Sequence, residues 1–425
     1  MGRKLLSLTL KLPYEGIDNA GGALVVSHYS HLSEYFDIST WAPDSADNRT
    51  AERSGVVGAR DVNVVQSSWA RRTVLGKVVA LVVRVALPVL PDVDFLLQCL
   101  FCRRLRRVIK DAEVVEFQWF EYMSLGPIVR LLNPRAARIG VVHDVVSQSI
   151  ERRTSSLPEP LRRVYLGMVR IQESFVLRSV SDVVVLSAKD RDLVCDRFPG
   201  ARVTILDPPL SGYERERSES ACSLAAKGAV SEGCTASVSF GMFAAFHRSE
   251  NDDAANWLLK ELWSDVIREV PAARLYLVGG GPSERLIRTA SAMPSVQVTG
   301  YVKSMEDYYS LVDNVIIPLR LGAGVKFKTI EAMIRGKNLV LTSVASEGVA
   351  ASECFFCLSD EAVEISAAMV ELALNLNPEK ARAARENALQ ALIGRYELDS
   401  YKSGLNTVYG CADRSGLGSS PSAGV

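Results

Sequence analysis

The stretch from Val315 to Thr342 constrains the rest of the chain more than any other. A short apolar run, Val315-Ile316-Ile317, stops at Pro318, and a glycine-rich loop follows, Leu319-Arg320-Leu321-Gly322-Ala323-Gly324. Apolar residues then recur on a helical period from Val325 to Arg335, where Gly336 closes the helix before a second strand. A strand, a glycine loop and a helix in this order are read as part of an α/β sheet. At about 100° per helical residue, Gly324, Lys328 and Glu331 share one stripe, while Phe327, Ile330, Met333 and Ile334 fall on the other side. One face packs, and the other presents a cation and a carboxylate.

A helix N-terminus behind two glycines offers free N–H groups and about half a positive charge to an anion. Lys328 adds a formal charge one turn in, and Glu331, acceptor-only when ionised, suits two vicinal hydroxyls such as those of a ribose. The pattern predicts a nucleoside diphosphate site. The bland alternative is that Lys328 and Glu331 are an exposed i,i+3 pair on a surface helix.

Pro318-Leu319-Arg320, followed by Gly322, Gly324, Lys328 and Glu331-Ala332-Met333, resembles the donor-site signature of family 4 retaining glycosyltransferases. That family has the GT-B fold, an α/β architecture of two doubly wound, Rossmann-like domains facing a central cleft. The resemblance extends from about Leu5 to about Tyr409. In one respect the chain departs from it: the second Glu of the family's E-x7-E pattern is Glu331, but the first falls on Ala323. The contact that this carboxylate usually makes to the donor sugar is then left to backbone amides or to another side chain. Met242 stands where an Arg is common, so Arg248 is expected to supply the remaining cation beside Lys328.

At 425 residues the chain exceeds what one core usually supports, so two domains are expected. The 49 basic and 49 acidic residues cancel, which leaves no global field for nucleic acid. Eight cysteines scattered over this length suit reduced thiols. Cys99/Cys102 and Cys354/Cys357 have Cys-x-x-Cys spacing, but about 250 residues separate the pairs, against a shared zinc site. Lys11 and Pro13 interrupt the first apolar run before it reaches signal-peptide length, and no run is long enough to span a bilayer. The chain reads as cytoplasmic.

Strands expected at 5–10, 37–41, 114–118, 137–143, 182–187 and 202–206 alternate with helices, beginning with a helix from Ala23 to Tyr35. This predicts a first domain over 1–207. The loop Pro13 to Gly22 opens that helix and, by the resemblance, Gly21 and Gly22 lie between acceptor and donor diphosphate. His143 and Asp144 end the strand starting at Ala137, where such sheets present functional groups. The resemblance places His143 at the donor sugar; a structural His is the alternative. Residues 208–236 read as a linker. A strand at 237–240 and a helix with the stripe Ala255, Leu258, Leu262, Val266 and Val270 open a second domain, 237–395. Gly279-Gly280-Gly281-Pro282 lacks the third glycine of a dinucleotide fingerprint, Glu284 standing in its place. By the resemblance, Gly300, Tyr301 and Val302 hold the nucleobase through backbone groups. A helix over 396–411 is expected to cross back to the first domain, and 412–425 to be disordered.

Between Arg71 and Lys110 the chain is rich in Val, Leu, Arg and Lys, including Arg103, Arg104, Arg106 and Arg107. A basic, apolar helix here is expected either to lie in a membrane interface or to pack on the sheet with a solvated basic face.

The expected activity is transfer of a hexose from a nucleotide-sugar to a glycan or lipid-linked acceptor, without metal or cofactor, on the cytoplasmic side of a membrane. Two alternatives stay open, a non-catalytic nucleotide-sugar-binding subunit and a sugar-nucleotide epimerase on the same fold.

Overall fold

The computed structural model describes residues 2–14, 20–65, 73–154, 157–207, 238–393 and 395–410. These form two sheets in which every strand pair is parallel. The first comprises β1 (Arg3–Leu8), β2 (Phe36–Pro43), β3 (Asp61–Val65), β4 (Val114–Gln118), β5 (Ala137–Val142), β6 (Asp182–Val185) and β7 (Val203–Ile205), in the order β3-β2-β1-β4-β5-β6-β7. The second comprises β8 (Ser239–Phe243), β9 (Arg274–Val278), β10 (Val296–Gly300), β11 (Asn314–Ile317), β12 (Asn338–Leu341) and β13 (Cys357–Leu358), in the order β10-β9-β8-β11-β12-β13. The order reverses between β1 and β4 in one sheet and between β8 and β11 in the other. Such switch points open crevices at the carboxyl ends of strands.

Central strands are buried on both faces and read as apolar runs; all four residues of β11 and all five of β4 are buried. Edge strands carry a weaker signal, and β3, Asp-Val-Asn-Val-Val, is not among the expected strands because its polar residues interrupt the run. The helix expected from Ala23 begins at Ala20 and ends at Leu32, so Gly21 and Gly22 belong to its first turn rather than to a preceding loop. Residues 15–19 of that loop lie outside the described residues, as do the expected linker 208–236 and tail 412–425. The helix expected from Val325 starts at Phe327. The stripe from Ala255 to Val270 is buried, but its helix is interrupted by a π-turn at Leu258–Leu262, where one extra residue per turn shifts the phase.

The helix Leu398–Tyr409 packs on the first sheet, its Tyr401, Leu405 and Tyr409 joining Leu5, Val25, Ile38, Val114 and Val184 in one core. Just before it, Arg395 reaches the Asp207 carboxylate at 2.9 Å, tying the two halves together. Cys99 is buried in the core of the first sheet and Cys354 in that of the second, so the two Cys-x-x-Cys pairs do not converge. Among the described residues no group of three or more His, Cys, Asp or Glu is placed to hold a metal ion.

The basic apolar segment forms three helices, Val74–Ala86, Val93–Phe101 and Arg103–Asp111. Of its four clustered arginines, Arg104 is turned onto the sheet, donating to Asp61 at 2.9 Å with its guanidinium over Trp41. Among the described residues no helix is long and apolar enough to cross a membrane.

Candidate active site

The glycine loop follows β11 and turns on positive φ angles, 114° at Gly322 and 71° at Gly324, a region that a side chain rarely adopts. Lys326 caps the helix that follows and folds its ammonium back onto the loop, donating to the carbonyls of Ala323 (3.0 Å) and Gly324 (2.6 Å). Ala323 thus contributes its carbonyl to the loop's own scaffold. Lys328, one turn in, donates to Asn251 Oδ1 at 2.6 Å. That bond holds it inward against the helix Ser249–Trp257, so it is not a member of a solvated surface pair. Burial first, and then the Arg248 guanidinium, push the Lys328 ammonium down to about 7. A cation held at such a cost gains when an anion arrives.

Arg248 lies 2.5 Å from Glu250 and is largely exposed. It acts electrostatically on both Lys328 and Asp144. Arg248, Lys328 and the glycine loop therefore gather at one place. Glu331 adds its charge to the same cluster, one helical turn beyond Lys328.

The opposing wall comes from the first sheet. His143 follows β5, and a Cβ built on Gly324 would stand 2.7 Å from the His143 carbonyl oxygen, with the Asp144 carboxylate nearer still. Only glycine permits this approach. Burial, with a smaller push from His28, lowers the His143 imidazole to about 3, so it is neutral. Its ring stacks on Trp119 at 4.3 Å between centroids. Trp119 itself has φ of 71°, a strained conformation for a bulky residue that is held by its surroundings.

Behind His143 runs a buried polar network that the sequence reading did not anticipate. Glu116, fully buried in β4, accepts from Ser7 Oγ (2.9 Å), Gln118 Nε2 (2.9 Å) and Tyr409 Oη (2.6 Å), with His28 Nε2 at 2.8 Å. Burial alone would raise its carboxyl, but His28 and these donors hold it down at about 2. His28 Nδ1 lies 2.7 Å from the Tyr401 hydroxyl. A lone Glu in the apolar run Val114 to Phe117 was the visible signal, since a buried carboxylate must be paired.

A second cluster joins the halves. Glu347 receives Arg152 at 2.9 Å and Lys189 at 3.0 Å from the first half, and Lys326 approaches it at 3.7 Å. Arg152 also donates to the Gly322 carbonyl. Burial opposes the Glu347 charge, but Arg152 and Lys189 hold its carboxyl below the usual range.

Gly300 ends β10, and Tyr301 and Val302 follow it at the carboxyl edge of the second sheet. Gly279 N–H donates to the Gly300 carbonyl at 3.2 Å and Phe246 N–H to Gly280 at 2.8 Å, which sets this loop beside the one carrying Arg248. Tyr301 is exposed.

Residues 238–375, which hold the glycine loop, Lys328 and Glu331, match the model of a family described as glycosyl transferases group 1. No curated protein matches the sequence. Solved structures match over nearly the whole chain. HepE from Anabaena, crystallised with UDP and glucose, superposes with a TM-score of 0.61 at 13% identity, over 96% of this chain and 99% of that one. The fold is GT-B. Sucrose-phosphate synthase from Thermosynechococcus elongatus gives a TM-score of 0.62 at 12% identity, over 96% and 98% of the two chains. A TarM variant from S. aureus, in complex with fondaparinux, alpha-GlcNAc-glycerol and UDP, gives 0.59 at 10%, over 96% and 99%. In GT-B terms, the two sheets are the two Rossmann-like halves, and His143 and Gly324 face each other across the cleft between them.

Proposed function

We propose that this protein is a retaining glycosyltransferase that moves a hexose from a nucleotide-sugar to a glycan or lipid-linked acceptor, in the making of a surface polysaccharide or glycolipid. The observation that carries this reading is the approach of Gly324 to the His143 carbonyl, which sets an anion-binding helix start against the carboxyl edge of the first sheet. HepE and TarM were crystallised with UDP, and we take a uridine diphosphate sugar as the donor.

In this reading the donor lies on the second half. The backbone of Gly300, Tyr301 and Val302 holds the base, Glu331 the ribose hydroxyls, and the amides around Gly322 to Gly324 the diphosphate. Lys328 and Arg248 take up the charge that grows on the departing phosphate, and stabilising developing charge is usually the largest catalytic term. These cations do the work that a metal does elsewhere, so the transfer is metal-independent. Neutral His143 contacts the sugar. The acceptor hydroxyl bonds to the anomeric carbon on the face that the diphosphate leaves; the carbon–oxygen bond to phosphate breaks, and a phosphate oxygen takes the acceptor's proton. Gly21 and Gly22 lie between acceptor and diphosphate.

Labelled uridine diphosphate sugars, incubated with a crude lipid fraction in chelator, test this. Transfer with the anomeric configuration kept, read by NMR of the product, is expected. Binding without transfer would make the protein a donor-binding subunit, and interconversion of free nucleotide-sugars would make it an epimerase.

A further inference from the structure

The helices Val74–Ala86 and Glu159–Leu177 lie side by side on the first half of the molecule, joined by Tyr165 Oη donating to the Val85 carbonyl (2.8 Å) and Gln172 Nε2 donating to Ala86 (3.0 Å). Soluble surfaces seldom carry what these two helices show. On the first, Val74, Leu75, Val78, Leu81, Val82 and Val85 are exposed; only Gly76 is buried. On the second, Leu161, Val164, Met168, Ile171 and Phe175 form an outward stripe at alternating spacings of three and four residues, with Ile171 72% exposed. The opposite stripe of that helix, Leu166, Val169, Val176 and Leu177, already fills the core. The outward apolar stripe is therefore additional to what folding needs.

Cations outnumber carboxylates around this face, although Arg170 lies 3.9 Å from Glu151 of the neighbouring helix. The exposed ionic residues of the two helices are Lys77, Arg84, Arg163 and Arg170 against Glu159 alone, and Glu159 is engaged by Arg163 at 3.2 Å. Lys77 and Arg84, seven residues apart, share a stripe beside the apolar one, as do Arg163 and Arg170. An apolar face edged by cations is the arrangement of a helix lying in an anionic lipid interface. Pairing with a second copy about a two-fold axis would set the same patch against itself, cations facing cations, which opposes that association.

We propose that this two-helix face is a lipid-docking surface that seats the protein on an anionic bilayer. It deepens the transferase reading, and rests on it for the acceptor: docking there selects the lipid-linked acceptor over a free glycan. The link to the cleft is short, because the helix Val146–Arg153, which sends Arg152 to Glu347 and Gly322, packs directly on the helix Glu159–Leu177.

Co-sedimentation of the full chain with vesicles of phosphatidylglycerol and phosphatidylcholine, against phosphatidylcholine alone, tests the proposal. Binding to the anionic vesicles is expected to exceed binding to the neutral ones at least tenfold and to weaken with salt, since exposed charges are screened within about 10 Å at 0.1 M. Leu81→Asp, Val164→Asp and Ile171→Asp together, all at exposed positions, should release the protein from vesicles while UDP binding by calorimetry stays unchanged. Serine at Lys77, Arg84, Arg163 and Arg170 should reduce binding and remove its salt dependence. Wild-type protein left in the supernatant with anionic vesicles at low salt overturns the proposal. So does a wild-type dimer, seen by light scattering without lipid, that the triple variant dissolves, for the face is then an interface between copies. UDP binding reads the transferase proposal separately: its loss with vesicle binding intact sinks that reading alone.

Discussion

His143 Nε2 lies 2.8 Å from Gln118 Oε1. The Glu116 carboxylate only accepts, so Gln118 turns its NH2 toward it and leaves its oxygen for His143, which must then carry its proton on Nε2. Glu116 thereby sets the tautomer of His143 through one side chain, and Nδ1 is left as the acceptor. Gln118→Leu is expected to lower kcat about tenfold or more while the donor KM changes less than threefold, because the proposed donor site places the nucleotide on the other half. His143→Ala should do the same more severely. Nitrogen NMR of the imidazole separates positioning from mere packing: an unchanged Nε2–H tautomer in Gln118→Leu would argue against the relay.

The same network makes folding sensitive to acid. The Glu116 carboxyl is depressed from 4.5 to about 2, so its ionised form stabilises the fold above pH 4.5, and that contribution is lost as pH falls from there through about 2. Tyr409→Phe removes one donor and tests it. Chemical denaturation at pH 7 and at about pH 2, where the folded-state carboxyl itself protonates, should show about 1.5–3 kcal/mol lost at the higher pH and less at the lower, a hydrogen bond to a charged acceptor being worth about that much. An equal loss at both would mean that the hydroxyl does not serve the charge.

Much of this was legible in the chain because it obeys local rules. The Val315 to Gly336 stretch announced strand, loop and helix, and the helical phase put Lys328 and Glu331 on one side of that helix, off its packed face. What stayed hidden depends on partners far away in sequence. Nothing near Tyr409 indicates that it meets Glu116, 293 residues distant, and nothing near Glu347 indicates that Arg152 and Lys189 reach it. The φ of Trp119 is likewise imposed by tertiary packing. Lys326 was passed over because the helix was expected to begin at Val325, which made a capping residue look like part of its first turn.

In the proposed donor site, Lys328 would link donor binding to pH. In the free protein its ammonium is pushed down to about 7, and a diphosphate beside it would favour the charged form and raise it again. Binding should therefore take up protons above pH 7, and UDP affinity should fall by up to tenfold per pH unit from about pH 7 until the bound-state value is reached. Calorimetry in two buffers of different ionisation enthalpy at pH 8 reads the uptake directly. No proton uptake, or an affinity flat from pH 7 to 9, would remove Lys328 from the diphosphate.

Glu331→Ala is expected to weaken UDP binding by about 1–3 kcal/mol, the worth of hydrogen bonds to a charged acceptor. Its helix buries Thr329, Ile330, Ala332, Met333 and Ile334, and Glu331 lies off that packed face, so the melting temperature should move little. A comparison with uracil-containing ligands that lack the ribose hydroxyls sharpens the test. Equal weakening for ligands with and without those hydroxyls would mean that Glu331 does not hold the ribose.

Gly324→Ala probes the closed cleft itself. At φ of 71° an alanine costs about 1–2 kcal/mol of backbone strain, and its methyl would meet the His143 carbonyl and the Asp144 carboxylate. Both of these belong to the other half of the molecule, so the clash is relieved most cheaply by moving the halves apart, which would also stretch the Arg152–Glu347 and Lys189–Glu347 pairs. The variant is expected to fold, to give a larger radius of gyration in small-angle scattering, and to lose at least tenfold in kcat while still binding UDP. A variant with wild-type scattering and wild-type turnover would show that the contact between Gly324 and His143 is not part of the working state.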